Sequence, residues 1–215
     1  MSINSSSPSQ EAPGVDLSWI PLGAGSPVVE TSGRIFEGMS ARLQRRPRCD
    51  LYHAVLEVYL PSGRVAIEQA PVPDDEGEAR GVVAVGPVGM RALGRWRLFR
   101  YEVRCWPDGV IPDLGAAVAS PVRVSSDAEV GSEILAVLPT IPTPVWGRDE
   151  AELGEMWNSN SVIAWTLMRV GLDARSLRPP TGGRAPGWQA GCAVAGGGAG
   201  TALPANSGHE SMDAR

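Results

Sequence analysis

Lysine is absent from this chain, and all 19 basic residues are arginine. The absence removes the lysine that a phosphate-binding P-loop needs, so the glycine-bearing run Gly183-Arg184-Ala185-Pro186-Gly187-Trp188 lacks the nucleotide-binding pattern. Histidine is nearly absent too, with only His53 and His209. The three cysteines, Cys49, Cys105 and Cys192, are far apart, with no CxxC pair. That spacing excludes a zinc motif and a disulfide framework, and the expectation is reduced, mostly buried thiols. No apolar run approaches the roughly 20 residues that span a bilayer. The N-terminal MSINSSSPSQEAPG has neither a basic nor an apolar region of the secretory type, so a cytoplasmic location is expected.

Positive charge in excess is also missing. The formal net charge is −5, which argues against a nucleic-acid partner. What is present is a globular composition, with 43% hydrophobic and 20% charged residues over 215 positions. That size and balance predict one folded domain. Residues 1–14, rich in Ser and Pro, read as a disordered tail, residues 15–195 as a single α+β domain, and residues 196–215 as a flexible C-terminal tail. Arginine, alanine, glycine, proline and valine share GC-rich codons, so the all-arginine usage is read as genome bias before function.

Strand patterns dominate the middle of the chain. Residues 51–60 (LYHAVLEVYL) predict a strand, Pro61-Ser62-Gly63 a turn, and residues 64–69 (RVAIEQ) its return arm. Residues 81–85 form a short apolar strand. Residues 95–106 (RWRLFRYEVRCW) alternate, with Arg97, Phe99, Tyr101, Val103 and Cys105 assigned to the core side. Residues 130–138 suggest a short helix. The clearest helix covers residues 160–170, where Val162, Ile163, Thr166, Leu167 and Val170 form an apolar stripe. Asn158, Ser159 and Asn160 offer N-caps, and Gly171 is placed to end the helix. The Pro- and Gly-rich stretch 179–187 reads as loop.

Few residues are positioned for chemistry. His53 is the one histidine in the predicted body, inside a strand with Leu51 and Val55 on its face of the pleat. It reads either as a satisfied core histidine or as a general base. Glu68, on the return arm of the hairpin, reads as a solvated strand glutamate or as the carboxylate that orients the imidazole. Ser161 opens the best helix, where free N–H groups stabilise an alkoxide or oxyanion, although Asn and Ser are also ordinary caps. Trp146 and Arg148 precede that helix and, with Trp157, form either a ligand-binding wall or a structured loop. Asp74, Asp75, Glu76 and Glu78 read as a solvated acidic loop, and no metal or cofactor is expected.

The order His53, then Glu68 on the next strand, then Asn160-Ser161-Val162-Ile163 followed by Trp165 and Leu167, resembles the circularly permuted papain-like superfamily. That group includes NlpC-related peptidases and lecithin–retinol acyltransferase relatives. The resemblance implies an antiparallel sheet packed against a helix that carries the nucleophile position. It makes Ser161 the counterpart of the family's cysteine, His53 the base, Glu68 the third member and Asn160 a neighbour of the bound ligand. The implied activity is a hydrolase or acyltransferase acting on an amide, ester or thioester of a small molecule or peptide. Serine departs from the family pattern, because a hydroxyl ionises far less readily than a thiol. A catalytically inactive binding module on the same scaffold, lined by Trp146, Trp157 and Arg148, is therefore the alternative expectation. An unrelated α+β protein, in which Asn158–Ser161 is only a cap, is the third.

Overall fold

In the computed structural model the described residues are 11–22, 45, 47–72, 81–111 and 113–197. His209, the acidic run at 74–78, residues 1–10 and residues 198–215 lie outside them. Among the described residues six strands build one antiparallel sheet: β1 (Gly14–Pro21), β2 (Tyr52–Leu60), β3 (Gly63–Pro71), β4 (Val82–Pro87), β5 (Arg100–Pro107) and β6 (Val118–Ser125). Across the sheet they run β4, β5, β3, β2, β1, β6. Among the described residues three helices follow in sequence: α1 (Ala128–Val137), α2 (Ser159–Arg169) and α3 (Trp188–Gly196). The α+β class and the antiparallel sheet match the expectation. Three elements had no forecast: β1, β6 and α3.

The β2–β3 hairpin closes over Pro61 and Ser62, with Leu60 paired to Gly63. β5 is shorter than the alternation implied. Residues 91–99, including Arg97 and Phe99, form 3-10 turns instead of strand. Arg100 fixes this departure, donating from Nε to the Gly94 carbonyl (2.5 Å) and from Nη2 to the Arg95 carbonyl (3.1 Å). From Tyr101 onward the predicted parity holds, since Tyr101 and Val103 are fully buried.

Strand alternation gives the sheet two unlike faces. Val15, Leu17 and Trp19 of β1, Ala54, Leu56 and Val58 of β2, and Val65 and Ile67 of β3 join Tyr101 and Val103 in the main core. Onto this face pack Ile134 of α1, Leu138 just after it, and Val162, Ile163, Trp165 and Leu167 of α2. Burying each such side chain contributes about 1.5–3 kcal/mol. The opposite face carries a smaller cluster, Ile20, Val55, Ala66 and Ile111, bordered by Trp106, Leu114 and Ala117.

Helix α2 ends as its sequence dictates. Gly171 adopts φ of 78°. Its N–H donates to the Met168 carbonyl (3.2 Å), and that of Leu172 to the Leu167 carbonyl (3.0 Å). This is the paired closure of a helix whose C′ residue is left-handed, a conformation that favours glycine. Helix α3 crosses α2 closely at Gly191, where a Cβ would collide with the Ser161 backbone.

Candidate functional site

Helix α2 begins at the place where β2 and β3 part. The strands pair from Leu60–Gly63 to Leu56–Ile67, while β3 stays paired to β5 as far as Pro71–Tyr101. Beyond Leu56, β2 keeps β1 on one side and needs other partners on the side that faced β3. Asn160 supplies them: its Oδ1 accepts from the Ala54 N–H (2.8 Å) and its Nδ2 donates to the Tyr52 carbonyl (3.0 Å). Nδ2 also donates to the Pro186 carbonyl (2.9 Å). The Asn160 amide thus stands in for a strand neighbour, and its hydrogen-bonding groups are spent on backbone rather than ligand.

Ser161 is equally committed. The Asn158 side chain accepts from the Asn160 and Ser161 N–H groups, and Ser161 Oγ accepts from the Asn158 N–H (3.1 Å), which completes a capping box. The hydroxyl donates to the Gly187 carbonyl at 2.7 Å, and the residue is 0% exposed. A hydroxyl donating to a carbonyl cannot at the same time give its proton to a histidine.

The structure does not bring His53 to this hydroxyl. In β2, Tyr52, Ala54, Leu56 and Val58 belong to the helix-covered core, so His53 and Val55 project from the other face. His53 is paired across from Ile20, also of the second cluster. The expected Ser161–His53 contact is corrected by strand parity: the helix covers one face and the imidazole leaves from the other. Glu68 does share the face of His53. Its carboxylate, however, accepts from Arg104 Nη1 (3.1 Å), and no hydrogen bond joins it to the imidazole.

Around those two residues lies a polar cluster that the sequence reading passed over. Arg104 also donates from Nε to Glu102 (3.1 Å) and from Nη2 to the Pro71 carbonyl (3.2 Å). Glu68, Glu102 and Arg104 are all buried. Burial pushes the Glu68 carboxyl up, Arg104 pulls it back, and Asp113 adds to the rise. Burial pushes the His53 imidazole below its ordinary range, against the pull of Asp113. Ser18 is 1% exposed on the same face, and among the described residues neither its hydroxyl nor the Trp106 indole N–H has a hydrogen-bond partner. The signal for Glu102 and Arg104 was present in the RYEVRCW alternation, which set both on the side away from Tyr101 and Val103. Nothing local in the sequence ties Asp113 or Ser18 to them.

The expected wall of Trp146, Arg148 and Trp157 is partly assembled. Trp146 packs edge-on against Tyr101, with centroids 5.7 Å apart. Trp157 is buried and exchanges backbone hydrogen bonds with Arg148 and Gly147. Trp157 and Arg148 line a void of about 10 Å³ together with Pro144, Glu155 and Ala190. Glu150, Ala151 and Val194 border both this void and a groove of about 460 Å³, which Glu152, Leu153, Ala193 and Gly197 complete. Trp146 lines neither. Arg91 grips Glu150 through two hydrogen bonds (2.9 and 2.7 Å), and Glu155 accepts from the Gln189 N–H at the start of α3 (3.2 Å).

Burial raises the Cys105 and Cys192 thiols above their ordinary value, which does not favour a thiolate at either. Among the described residues no cluster of three His, Cys, Asp or Glu forms a metal site, and no helix is long and apolar enough to cross a membrane. Comparisons with protein-family models, with curated proteins and with solved structures returned no match.

Proposed function

We propose that this chain is a catalytically inactive binding module on a circularly permuted papain-like scaffold, with its ligand surface in the groove beside Trp157 and Arg148. The observation that carries this reading is the state of Ser161, whose hydroxyl is buried and already donates to the Gly187 carbonyl. A serine nucleophile needs a general base within hydrogen-bond reach, and the imidazole on the opposite face of the sheet does not supply one. The scaffold assignment is supported by chain order. A histidine-bearing strand comes first, its hairpin partner carries Glu68, and the later helix opens with Asn160-Ser161 docked on the histidine strand.

The groove volume falls within the range of about 300–1,000 Å³ typical of small-ligand sites. Its lining mixes the apolar Ala151, Leu153, Ala193 and Val194 with the carboxylates of Glu150 and Glu152. Glu150 is neutralised by Arg91, which leaves Glu152 to set the charge preference. A small ligand with an apolar body and one cationic group suits this lining.

Two measurements test the reading. A fluorophosphonate probe added to the folded chain leaves Ser161 unlabelled; labelling there, with acyl turnover lost in Ser161→Ala, restores the hydrolase. Phenethylamine titrated against the isotopically labelled chain shifts the amide signals of Ala151, Leu153 and Val194. Shifts confined to other residues move the ligand surface elsewhere.

A further inference from the structure

The connector between β4 and β5 buries no residue of its two turns in the core, and it reaches the groove through the Arg91–Glu150 pair. Its two 3-10 turns, Arg91–Arg95 and Arg97–Phe99, contain no buried residue. They are nevertheless firmly held. Arg100 ties the first turn through the Gly94 and Arg95 carbonyls. Arg91 is clamped by Glu150, and Arg148 Nε donates to the Gly89 carbonyl at 2.8 Å. On this fixed knob Leu98 is 74% exposed, Met90 52% and Trp96 47%. Phe99 packs edge-on against Trp96, and the Arg95 guanidinium lies 4.0 Å from the Trp96 ring centroid.

Charge separates this knob from the rest of the molecule. Residues 90–100 (MRALGRWRLFR) hold Arg91, Arg95, Arg97 and Arg100 and no acidic residue, in a chain of net charge −5. Arg100 is satisfied by backbone carbonyls and Arg95 is stacked on a ring, so among the described residues neither of these guanidinium charges is cancelled by a carboxylate. A rigid projection with uncancelled arginines around a Trp and two long aliphatic side chains matches the headgroup boundary of a bilayer. There guanidinium meets phosphate and the apolar tips enter the acyl edge. Single-stranded nucleic acid would use the Trp96 ring but gains nothing from Leu98 and Met90. A stable protein interface buries about 800 Å² on each partner, more than a knob of three apolar side chains offers.

We propose that the Met90–Arg100 knob docks this protein on an anionic phospholipid membrane. The inference is independent of the groove and of whether the module is inactive. The test is co-sedimentation of the full chain with vesicles of phosphatidylcholine alone and with added phosphatidylglycerol. The chain sediments with the anionic vesicles, less so as salt is raised, and much less with the neutral ones. Leu98→Asp lowers the anionic partition coefficient about ten-fold, and Arg95→Glu about five-fold. Both substitutions leave the circular dichroism and thermal transition unchanged, because neither side chain is buried. Absence of sedimentation with anionic vesicles overturns the proposal, whether or not the chain binds single-stranded DNA or an acidic peptide. Equal partitioning of Leu98→Asp and the natural chain overturns it as well.

Discussion

The two faces of the sheet are made by the same strands and obey opposite rules. On the face covered by α1 and α2, strands β1, β2, β3 and β5 present no charged residue at all, and the polar exception is Gln69. On the other face the same strands carry Asp16, Glu57, Arg64, Glu68, Arg100, Glu102 and Arg104, and every carboxylate is paired: Asp16 with Arg123, Glu57 with Arg64, and Glu68 and Glu102 with Arg104. A face sealed by helices leaves a charge no route to water, so it must be apolar. A face with a smaller apolar cluster holds its carboxylates by giving each a guanidinium. The period of two along a strand decides which rule a residue obeys. It also explains why a histidine and a serine that look like partners in sequence end on opposite sides.

The sharpest way to break the contrast is to remove the cation at the centre of the charged face. Arg104→Ala leaves the buried Glu68 carboxylate without its guanidinium and is expected to cost about 3–5 kcal/mol in urea unfolding. Arg104→Lys recovers only part of the loss, since one ammonium does not reproduce a planar fork that reaches Glu68, Glu102 and the Pro71 carbonyl together. A cost below about 1 kcal/mol for Arg104→Ala would mean that this face behaves like a solvated surface.

The next test acts on the apolar face, where polar groups are spent on architecture. Asn160→Ala strands the Ala54 N–H and the Tyr52 carbonyl in a buried place, and each unsatisfied group costs about 1–3 kcal/mol. A loss of roughly 2–6 kcal/mol is expected in the same unfolding measurement, from the sum of those two penalties. Asn160→Asp does no better, because a carboxylate faces the Tyr52 and Pro186 carbonyls that the amide donated to. An Asn160→Ala variant of natural stability would mean that β2 finds other partners beyond Leu56.

Much of this architecture was written locally. The hairpin, the parity of Tyr101 and Val103, and the cap, stripe and Gly171 ending of α2 all follow from neighbours in sequence. β6 and α3 were missed for physical reasons. β6 contains Pro121 and a left-handed Ala119, so its β signal is weak, as suits an edge strand. α3 is short and rich in Gly and Ala, and its place is fixed by packing Gly191 against Ser161 rather than by a periodic stripe. The candidate site was half legible. Glu68 and His53 do share a face, but that Arg104 holds Glu68 depends on β3 pairing with β5 across 36 residues, and no local pattern states it.

Two serines sharpen the comparison further, because their hydroxyls sit in opposite circumstances. Ser161→Ala removes half of a capping box and the bond to Gly187, and should cost about 1–2 kcal/mol. Ser18→Ala removes a buried hydroxyl that has no partner among the described residues, and should leave stability unchanged or raise it by up to about 1 kcal/mol. Thermal or chemical unfolding of the two variants reads the sign directly. Equal losses would mean that Ser18 has a partner on the charged face, a bridging water being the simplest.

The smallest effect is a pH dependence confined to the charged face. Burial holds the His53 imidazole below its ordinary value of 6.5, with Asp113 opposing. The unfolded chain therefore takes up the proton first as pH falls. The stability that His53 contributes is complete above about pH 6.5 and is lost as pH drops toward the folded-state value. Glu68 runs the other way. Its carboxyl is raised above 4.5, so its contribution is complete below that value and is lost as pH rises through the folded-state value. His53→Gln should flatten the fall in unfolding midpoint on acidification below about pH 6.5 and leave the Glu68 slope in place. Asp113→Asn should steepen that same fall, because it removes the charge that favours the imidazolium. If His53→Gln leaves the acid side of the profile unchanged, the imidazole is solvated in the folded chain, and its face of the sheet is open at that end.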